Sequence, residues 1–242
     1  MRNIFLEIEY DGTDYFGWQS QPKRKTIQGT IEQALGKILQ EPVSLIGASR
    51  TDAGVSALGQ CANFITKSQL SVERIQSALN SLLPKDIYIR RAYQVHLLFN
   101  ARLEAKSKIY RYRIIVGRSP LERRFAWEVK YPLDLDRMRQ AAKLFLGEKD
   151  YQHFCAVKVT SPNDAIVNIK EINIKEKESH ITIDIEANRF LYKMVRRIVG
   201  CLVDVGRGKI TKNDIKFALV GKPHPPFITA PANGLILLTV RY

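Results

Sequence analysis

The segment Ile4-Phe-Leu-Glu-Ile-Glu-Tyr10 decides the fold class, because apolar residues recur at every second position along it. A period of two is typical of a β-strand that lays one face on a core. Asp11-Gly12 favours a turn directly after this strand. Thr26 is then placed to cap a helix, whose apolar stripe comprises Ile27, Ile31, Leu35 and Ile38. A strand, a turn and an amphipathic helix in succession predict a fold that mixes α and β structure.

The rest of residues 1–100 continues this alternation of strands and helices. The expected elements are strands over residues 60–66 and 87–95 and a helix over residues 71–82. Pro84 closes the helix. A short apolar run over residues 43–48 leads into the polar loop Arg50-Thr-Asp-Ala-Gly54. We therefore expect an α+β unit in which two helices cover one sheet.

Residues 101–242 have the same mixed character without a sequence repeat. The segment 108–116 alternates so that Tyr110 and Tyr112 share one face of a strand while Arg111 and Arg113 share the other. Further helices are expected over residues 135–145 and 190–205 and after the capping box of Thr211 and Asp214. Strands are expected over residues 165–174, 181–187 and 235–240, with a turn over residues 175–179. We expect two α+β halves, 1–100 and 101–242, with the functional surface in a cleft between them.

The charge balance favours a polyanionic partner. Lysine and arginine number 38 against 24 acidic residues, a formal net charge of +14, which points first to nucleic acid and second to an anionic membrane surface. The basic residues stand in short groups inside expected elements, namely Lys23 to Lys25, Arg90 and Arg91, Arg111 and Arg113, Arg123 and Arg124, and Arg196 and Arg197. A folded basic surface suits folded RNA better than a disordered basic tail would.

The cysteines and the amino terminus indicate an intracellular protein without metal. Cys61, Cys155 and Cys201 are widely spaced and match no zinc pattern, so reduced core thiols and a cytoplasmic location are expected. Glu7 and Glu9 interrupt the apolar stretch that a signal peptide needs, and no later run is long enough for a bilayer. The histidines also lack metal-ligand spacing; they are His96, His153, His180 and His224.

Asp52 is the residue best placed for catalysis. It lies in a glycine-containing loop directly after an apolar run, and the guanidinium of Arg50, two residues away, favours the ionised carboxylate. The alternative for an aspartate beside a glycine is a structural role in an Asx-turn or a helix cap. The loop by itself does not separate the two interpretations.

Other blocks of sequence accompany this loop. They are Tyr10-Asp-Gly-Thr-Asp-Tyr-Phe-Gly-Trp-Gln19, Lys108-Ile-Tyr-Arg-Tyr-Arg-Ile114, Phe190-Leu-Tyr-Lys-Met-Val-Arg-Arg-Ile-Val-Gly200 and Ala230-Pro-Ala-Asn-Gly-Leu235. Together with Arg50-Thr-Asp-Ala-Gly-Val55, they resemble the tRNA pseudouridine synthase family usually called TruA. The resemblance extends over essentially the whole chain in the expected order, which is far more specific than one short motif.

The resemblance implies roles for individual residues. Asp52 resembles the catalytic aspartate of the family, Tyr110 its active-site tyrosine and Arg196 the arginine that pairs with the aspartate. Tyr110 is also expected to bind the substrate base. For Arg50, Arg189 and Arg197, contact with RNA is expected, and for Arg189 and Arg197 a solvated basic face is the alternative.

The resemblance also implies a fold, a reaction and partners. The fold is two mixed sheet halves, with antiparallel sheets and flanking helices, around a central basic cleft. The reaction is the isomerisation of uridine to pseudouridine on the 3′ side of the anticodon stem-loop of tRNA, without a cofactor. The enzyme is expected to be a cytoplasmic homodimer.

Three positions depart from the family pattern. Ser56 and Asn100 stand where the family usually or often has histidine, and Tyr151 stands where it often has phenylalanine. None of these positions carries the proposed chemistry. No RNA contact of the family is therefore carried over to Ser56 or Asn100.

Two other classes of function remain open. An RNA-binding or RNA-chaperone protein without catalysis would account for the basic groups, although not for the set of Asp52, Tyr110 and Arg196. A hydrolytic RNA-processing enzyme would normally carry a histidine pair or a carboxylate cluster with metal spacing, and it ranks last.

Overall fold

A computed structural model describes the backbone of residues 1–242 and every side chain except that of Pro162. The chain divides into two compact units, Met1–Lys106 with Ile236–Tyr242, and Ser107–Leu235. Both combine helices with a sheet whose strands pair mainly antiparallel, so the α+β class is confirmed. The observed division differs from the expected halves in one main respect, because the last strand belongs to the first unit.

The helices and strands follow in chain order. They are β1 (Arg2–Tyr10), α1 (Ile27–Leu39), β2 (Ile46–Gly47), β3 (Ser56–Thr66), α2 (Val72–Leu82), β4 (Ile87–Val95), β5 (Ser107–Val116), β6 (Trp127–Val129), α3 (Leu135–Ala142), β7 (Gly147–Asp150), α4 (Pro162–Ala165), β8 (Ile166–Lys177), β9 (His180–Ala187), α5 (Met194–Gly206), α6 (Lys212–Leu219) and β10 (Leu235–Arg241). Short 3-10 helices span Lys143–Phe145, Gln152–Phe154 and Ala232–Gly234.

The first unit has the strand order β4, β1, β3, β10, with β2 also paired to β3. The alternating apolar side chains of β1 are buried as expected, but Phe5 on the opposite face is buried too, because it packs against Phe99 and Tyr242. Thr26 caps α1 by accepting from the Gly29 N–H, and Ser71 caps α2. The apolar run at residues 43–48 forms only the two-residue strand β2.

The second unit has the strand order β5, β9, β8, β7, with β6 parallel to β5. Helix α3 packs on α5 and on β8, and α5 is buried along most of its length. The expected turn over residues 175–179 is wrong, because pairing of β8 with β9 continues as far as Lys177 and His180. The reversal is confined to Glu178, at a φ of 57°, and the next residue.

Helix α5 begins later than its apolar spacing predicts. The expected start at Phe190 is wrong, because Lys193 takes a left-handed conformation with a φ of 58° and the helix begins at Met194. The Phe190 ring is engaged instead in a tertiary contact with Tyr110. Arg189 therefore lies outside the helix that carries Arg196.

Other local predictions agree with the structure. Thr211 and Asp214 form a capping box at α6, and Gly208 takes a φ of 73° just after α5, which ends at Gly206. All three cysteines are buried free thiols. Within the described part of the chain, no helix combines the length and apolar character needed to cross a membrane.

Candidate active site

The loop that carries Asp52 is held on its amino-terminal side through Thr51. The Thr51 hydroxyl and the Tyr10 hydroxyl lie 2.7 Å apart in a buried hydrogen bond. The Thr51 carbonyl accepts from the Trp18 N–H at 3.1 Å. Both partners are buried residues of the first unit. The backbone that precedes Asp52 is therefore held in a fixed position.

The carboxyl-terminal side of the same loop is fixed by a turn. The Val55 N–H donates to the Asp52 carbonyl at 3.1 Å, and the Gly54 N–H donates to the Tyr15 carbonyl at 3.3 Å. Gly54 takes a φ of 78°, which favours glycine. The Asp52 side chain is half-buried. A carboxylate on a backbone tied at both sides is preorganised, which is what a catalytic group requires.

Two glycines bring an earlier segment directly against this loop. A Cβ atom on Gly12 would lie 2.0 Å from the Val55 carbonyl oxygen, and one on Gly17 would lie 2.6 Å from the Thr51 carbonyl oxygen. Gly17 also has a φ of 83°. The block Tyr10 to Gln19 therefore supports the Asp52 loop, a role that the sequence analysis did not assign to it.

The three departures from the family pattern all have internal partners. The Ser56 hydroxyl accepts from the Gly12 N–H at 3.1 Å, and so belongs to the same junction as the Asp52 loop. The Asn100 side chain accepts from the Arg102 N–H at 3.0 Å and forms a local turn. The Tyr151 hydroxyl donates to the Phe145 carbonyl.

Tyr110 lies on β5 of the second unit. It faces the same side as Tyr112, as the alternation predicted, and both are buried. The rings of Tyr110 and Phe190 pack edge to face, with their centroids 5.1 Å apart. On the opposite side of β5, Arg111 makes two hydrogen bonds of 2.7 Å to Asp184. Tyr110 thus packs against Phe190 on one side of the strand, and Arg111 forms an ion pair on the other.

Arg196 lies in the first turn of α5 and is half-buried. Its Nε donates to the Ala230 carbonyl at 2.7 Å, and the Ala230 N–H donates to the Arg196 carbonyl at 3.0 Å. The next carbonyl, that of Pro231, accepts from the Tyr112 hydroxyl at 2.7 Å. Burial raises the pKa of Tyr112, and the charge of Arg196 opposes that rise. One short segment therefore holds both side chains.

This segment, residues 228–234, packs tightly against its surroundings. A Cβ atom on Gly200 of α5 would lie 2.2 Å from the Ile228 carbonyl oxygen, and one on Gly234 would lie 2.7 Å from the Tyr112 ring. Asn233 donates to the Ala126 carbonyl at 3.0 Å. The sequence analysis had used the ending only as a point of resemblance. Its proline and glycine content was the available signal that it forms a specific, close-packed connection.

Comparison with known proteins identifies the family of the chain. A sequence model of the family described as tRNA pseudouridine synthase matches residues 7–104 and 141–242. The chain belongs to this family. The two matched ranges contain Asp52 and Arg196 respectively.

Relatives in the family match the chain from end to end. The tRNA pseudouridine synthase A of Thermoanaerobacter sp. (strain X514) is 43% identical over 246 residues, and that of Caldicellulosiruptor bescii is 44% identical over 245 residues; each alignment covers 100% of both chains. Among solved structures, the archaeal box H/ACA sRNP Nop10-Cbf5 complex is similar over 83% of this chain and 43% of that one, with a TM-score of 0.40 and 11% identity. That likeness is too distant to support an argument.

The basic residues expected to bind RNA have different local environments. Arg50 is exposed. Arg189 is exposed and donates to the Asp164 carbonyl at 2.8 Å. Arg197 is half-buried and donates to the Cys155 carbonyl at 2.7 Å and to the His153 carbonyl at 3.3 Å, so it has a structural use. Contact of all three with RNA stays a prediction.

The structure fixes each candidate catalytic side chain within its own unit. Asp52 belongs to the first unit, and Tyr110 and Arg196 belong to the second. Within the second unit, residues 228–234 bind both Arg196 and Tyr112. Tyr112 is the neighbour of Tyr110 on the same face of β5. The cooperation of the three residues in one catalytic centre is a proposal.

Proposed function

We propose that this chain isomerises uridine to pseudouridine in the anticodon stem-loop of tRNA, with Asp52 as the catalytic carboxylate. The observation that carries the proposal is the rigid loop of Asp52, tied at both sides, in a chain that matches the tRNA pseudouridine synthase family over two long ranges. A protein that only holds RNA has no need for a half-buried carboxylate set on such a loop.

The reaction is a rearrangement with no net oxidation or hydrolysis. The bond from ribose C1′ to N1 of the base breaks, the base rotates, and a bond from C1′ to C5 forms. The proton on C5 leaves and N1 gains one, so atoms and charge balance without a cofactor. A base inside a stem must first be extruded, at a cost of a few kcal/mol that stacking and hydrogen bonds in the pocket offset.

Asp52 serves this reaction in one of two ways. Its carboxylate attacks C1′ as a nucleophile, or it removes a ribose proton so that the base departs through a glycal-like intermediate. Arg196, held by the Ala230 carbonyl, would keep the carboxylate ionised in either route. Tyr110 would supply a stacking face for the base and is the candidate to accept the C5 proton.

The decisive measurement is release of tritium from unmodified tRNA labelled at uracil C5. The wild type should release tritium, and Asp52→Asn should slow the release on the order of 10³-fold or more. Asn has almost the same shape as Asp, so binding of tRNA and the thermal midpoint of unfolding should be retained. Turnover by Asp52→Asn at the wild-type rate would overturn the assignment of Asp52.

The same assay separates the alternative function. The high positive charge would also suit an RNA-binding protein without catalysis. Tight binding of tRNA with no tritium release by the wild type would support that alternative and contradict the proposal.

We also infer that the enzyme acts in the cytoplasm as a homodimer. The support for both statements is the resemblance to the family, together with the buried free thiols for the cytoplasmic location. Sedimentation equilibrium should give twice the chain mass of 27.7 kDa. A monomer at assay concentrations would contradict the dimer.

A further inference from the structure

One aromatic side chain beside the Asp52 loop remains open to solvent. Phe16 is 48% exposed, although it lies between Tyr15 and Gly17, which both contact the Asp52 loop. The Arg24 guanidinium carbon lies 4.4 Å from the centroid of the Phe16 ring. The cation lies over one side of the ring, and 48% of the residue's surface stays open to solvent.

The Phe16 backbone is held in place on both sides. Its N–H donates to the Lys25 carbonyl at 2.9 Å, and its carbonyl accepts from the Gln21 side chain at 3.3 Å. The preceding Tyr15 is buried and its hydroxyl donates to Asp86 at 2.7 Å. The position of the Phe16 ring relative to Asp52 is therefore set by the fold of the first unit.

The neighbouring aromatic and cation show what a structural pair looks like here. Lys25 lies over the buried ring of Tyr15, with its Nζ 4.2 Å from the centroid. That pair, together with the hydrogen bond from Tyr15 to Asp86, already stabilises the segment around Tyr15. Phe16 and Arg24 form a second pair of the same kind at the protein surface. An apolar ring that stays half exposed there contributes little hydrophobic stabilisation.

A rigid aromatic ring backed by a guanidinium has a specific use in RNA recognition. Unpaired bases stack on aromatic side chains and on arginine planes, and such stacking tolerates any base because every base has a π-face. Extrusion of a uridine also leaves the adjacent bases with uncovered faces. A stacking surface close to the catalytic loop would cover one of them.

We propose that Phe16 and Arg24 form a stacking site for an unpaired base of the substrate RNA, different from the uridine that is isomerised. The proposal rests on the proposed function, because that base is taken to belong to the tRNA that presents a uridine to Asp52. Phe16 contributes the π-face and Arg24 contributes cation–π attraction and charge toward the adjacent phosphate.

The kinetic test compares three variants on unmodified tRNA. Phe16→Leu keeps apolar bulk without the aromatic face and should lower kcat/KM about 10-fold or more, mainly through KM. Phe16→Tyr keeps the aromatic face and should retain the wild-type value. The control is Phe217→Leu, which makes the same change at a phenylalanine of α6 that is 43% exposed, and it should also retain the wild-type value.

A structural role for Phe16 would give a different pattern. It would lower the thermal midpoint of unfolding in Phe16→Leu, which we expect to stay within the range of the control variant. Wild-type kcat/KM in Phe16→Leu, or an equal loss in Phe16→Tyr, would overturn the stacking site.

A second test does not depend on turnover. Unmodified tRNA carrying 5-iodouridine at one unpaired position of the anticodon stem-loop at a time, whichever base that position normally holds, is bound to the Asp52→Asn variant and irradiated. A crosslink to Phe16 from a position other than the isomerised uridine is expected, and crosslinks only to other residues would overturn the proposal. If the wild type releases no tritium, the proposed function fails by itself, whatever the crosslinks show.

Discussion

The Asp52 loop and the surroundings of Arg196 hold their candidate catalytic side chains by different means. Around Asp52, backbone groups of two segments bond to one another, and Gly12 and Gly17 allow the close approach. Around Arg196, the side chain itself donates to the Ala230 carbonyl. The difference teaches that the position of the Asp52 loop depends on backbone contacts that require glycine at residues 12 and 17, whereas the position of Arg196 depends on its own donor atoms.

The largest effect is expected from adding a methyl group beside the Asp52 loop. In Gly12→Ala the new Cβ would lie 2.0 Å from the Val55 carbonyl oxygen, so the loop must move. A shift of about 1 Å at a catalytic group costs on the order of 100-fold in kcat. The fall should be measured as tritium release under saturating tRNA.

A second glycine provides the matched control. Gly36 lies inside α1, and a Cβ there would meet only the Glu41 carbonyl oxygen, at 3.7 Å. Gly36→Ala should keep kcat and raise the free energy of unfolding by up to about 1 kcal/mol, because alanine favours helix. Equal kcat in the Gly12 and Gly36 variants would contradict the account of the loop.

The next effect concerns the donor atoms of Arg196. Arg196→Lys keeps the charge but loses the Nε that binds the Ala230 carbonyl, so kcat should fall on the order of 10-fold to 100-fold. Arg111→Lys makes the same change on the other side of β5, where the partner is Asp184. It should cost at most about 1 kcal/mol of stability and leave kcat intact. Loss of kcat in both variants alike would indicate a general effect of charge geometry.

Two tyrosine hydroxyls allow a smaller comparison of the same regions. Tyr10→Phe removes the hydrogen bond to Thr51, and Tyr112→Phe removes the one to Pro231. Each should lower the free energy of unfolding by about 1 kcal/mol in urea titrations. We expect Tyr10→Phe to lower kcat more, because Thr51 is covalently joined to Asp52, whereas Pro231 acts through Ala230 on Arg196.

The smallest effect is a pH dependence centred on the Cys61 thiol. Burial raises its pKa from 9.0 to about 12 in the folded state. The unfolded chain therefore loses this proton first, so the thiol contributes stability below about pH 9 that is lost as the pH rises toward 12. Urea midpoints of Cys61→Ala should decline less steeply with pH than those of the wild type over this range. Identical slopes would show that the pKa of the thiol is the same in the folded and unfolded states, and would contradict this account.

Periodicity and capping residues predicted local structure well. The alternation in β1 and in β5, the Thr26 cap and the Thr211 capping box appear where the sequence indicated. They were predictable because a side-chain period and a cap depend on residues within one or two turns of each other. The start of α5 was missed for the converse reason, since the apolar spacing continues through a left-handed Lys193.

The sequence by itself determined the class of fold and the family, and it pointed to Asp52 as the candidate catalytic residue. Only the tertiary structure decided that β10 pairs parallel with β3, that the Gly12 and Gly17 backbone supports the Asp52 loop, and that residues 228–234 hold Arg196. These contacts join segments far apart in the chain, and no local pattern records them. They depend on close packing and on backbone hydrogen bonds that exist once the chain has folded.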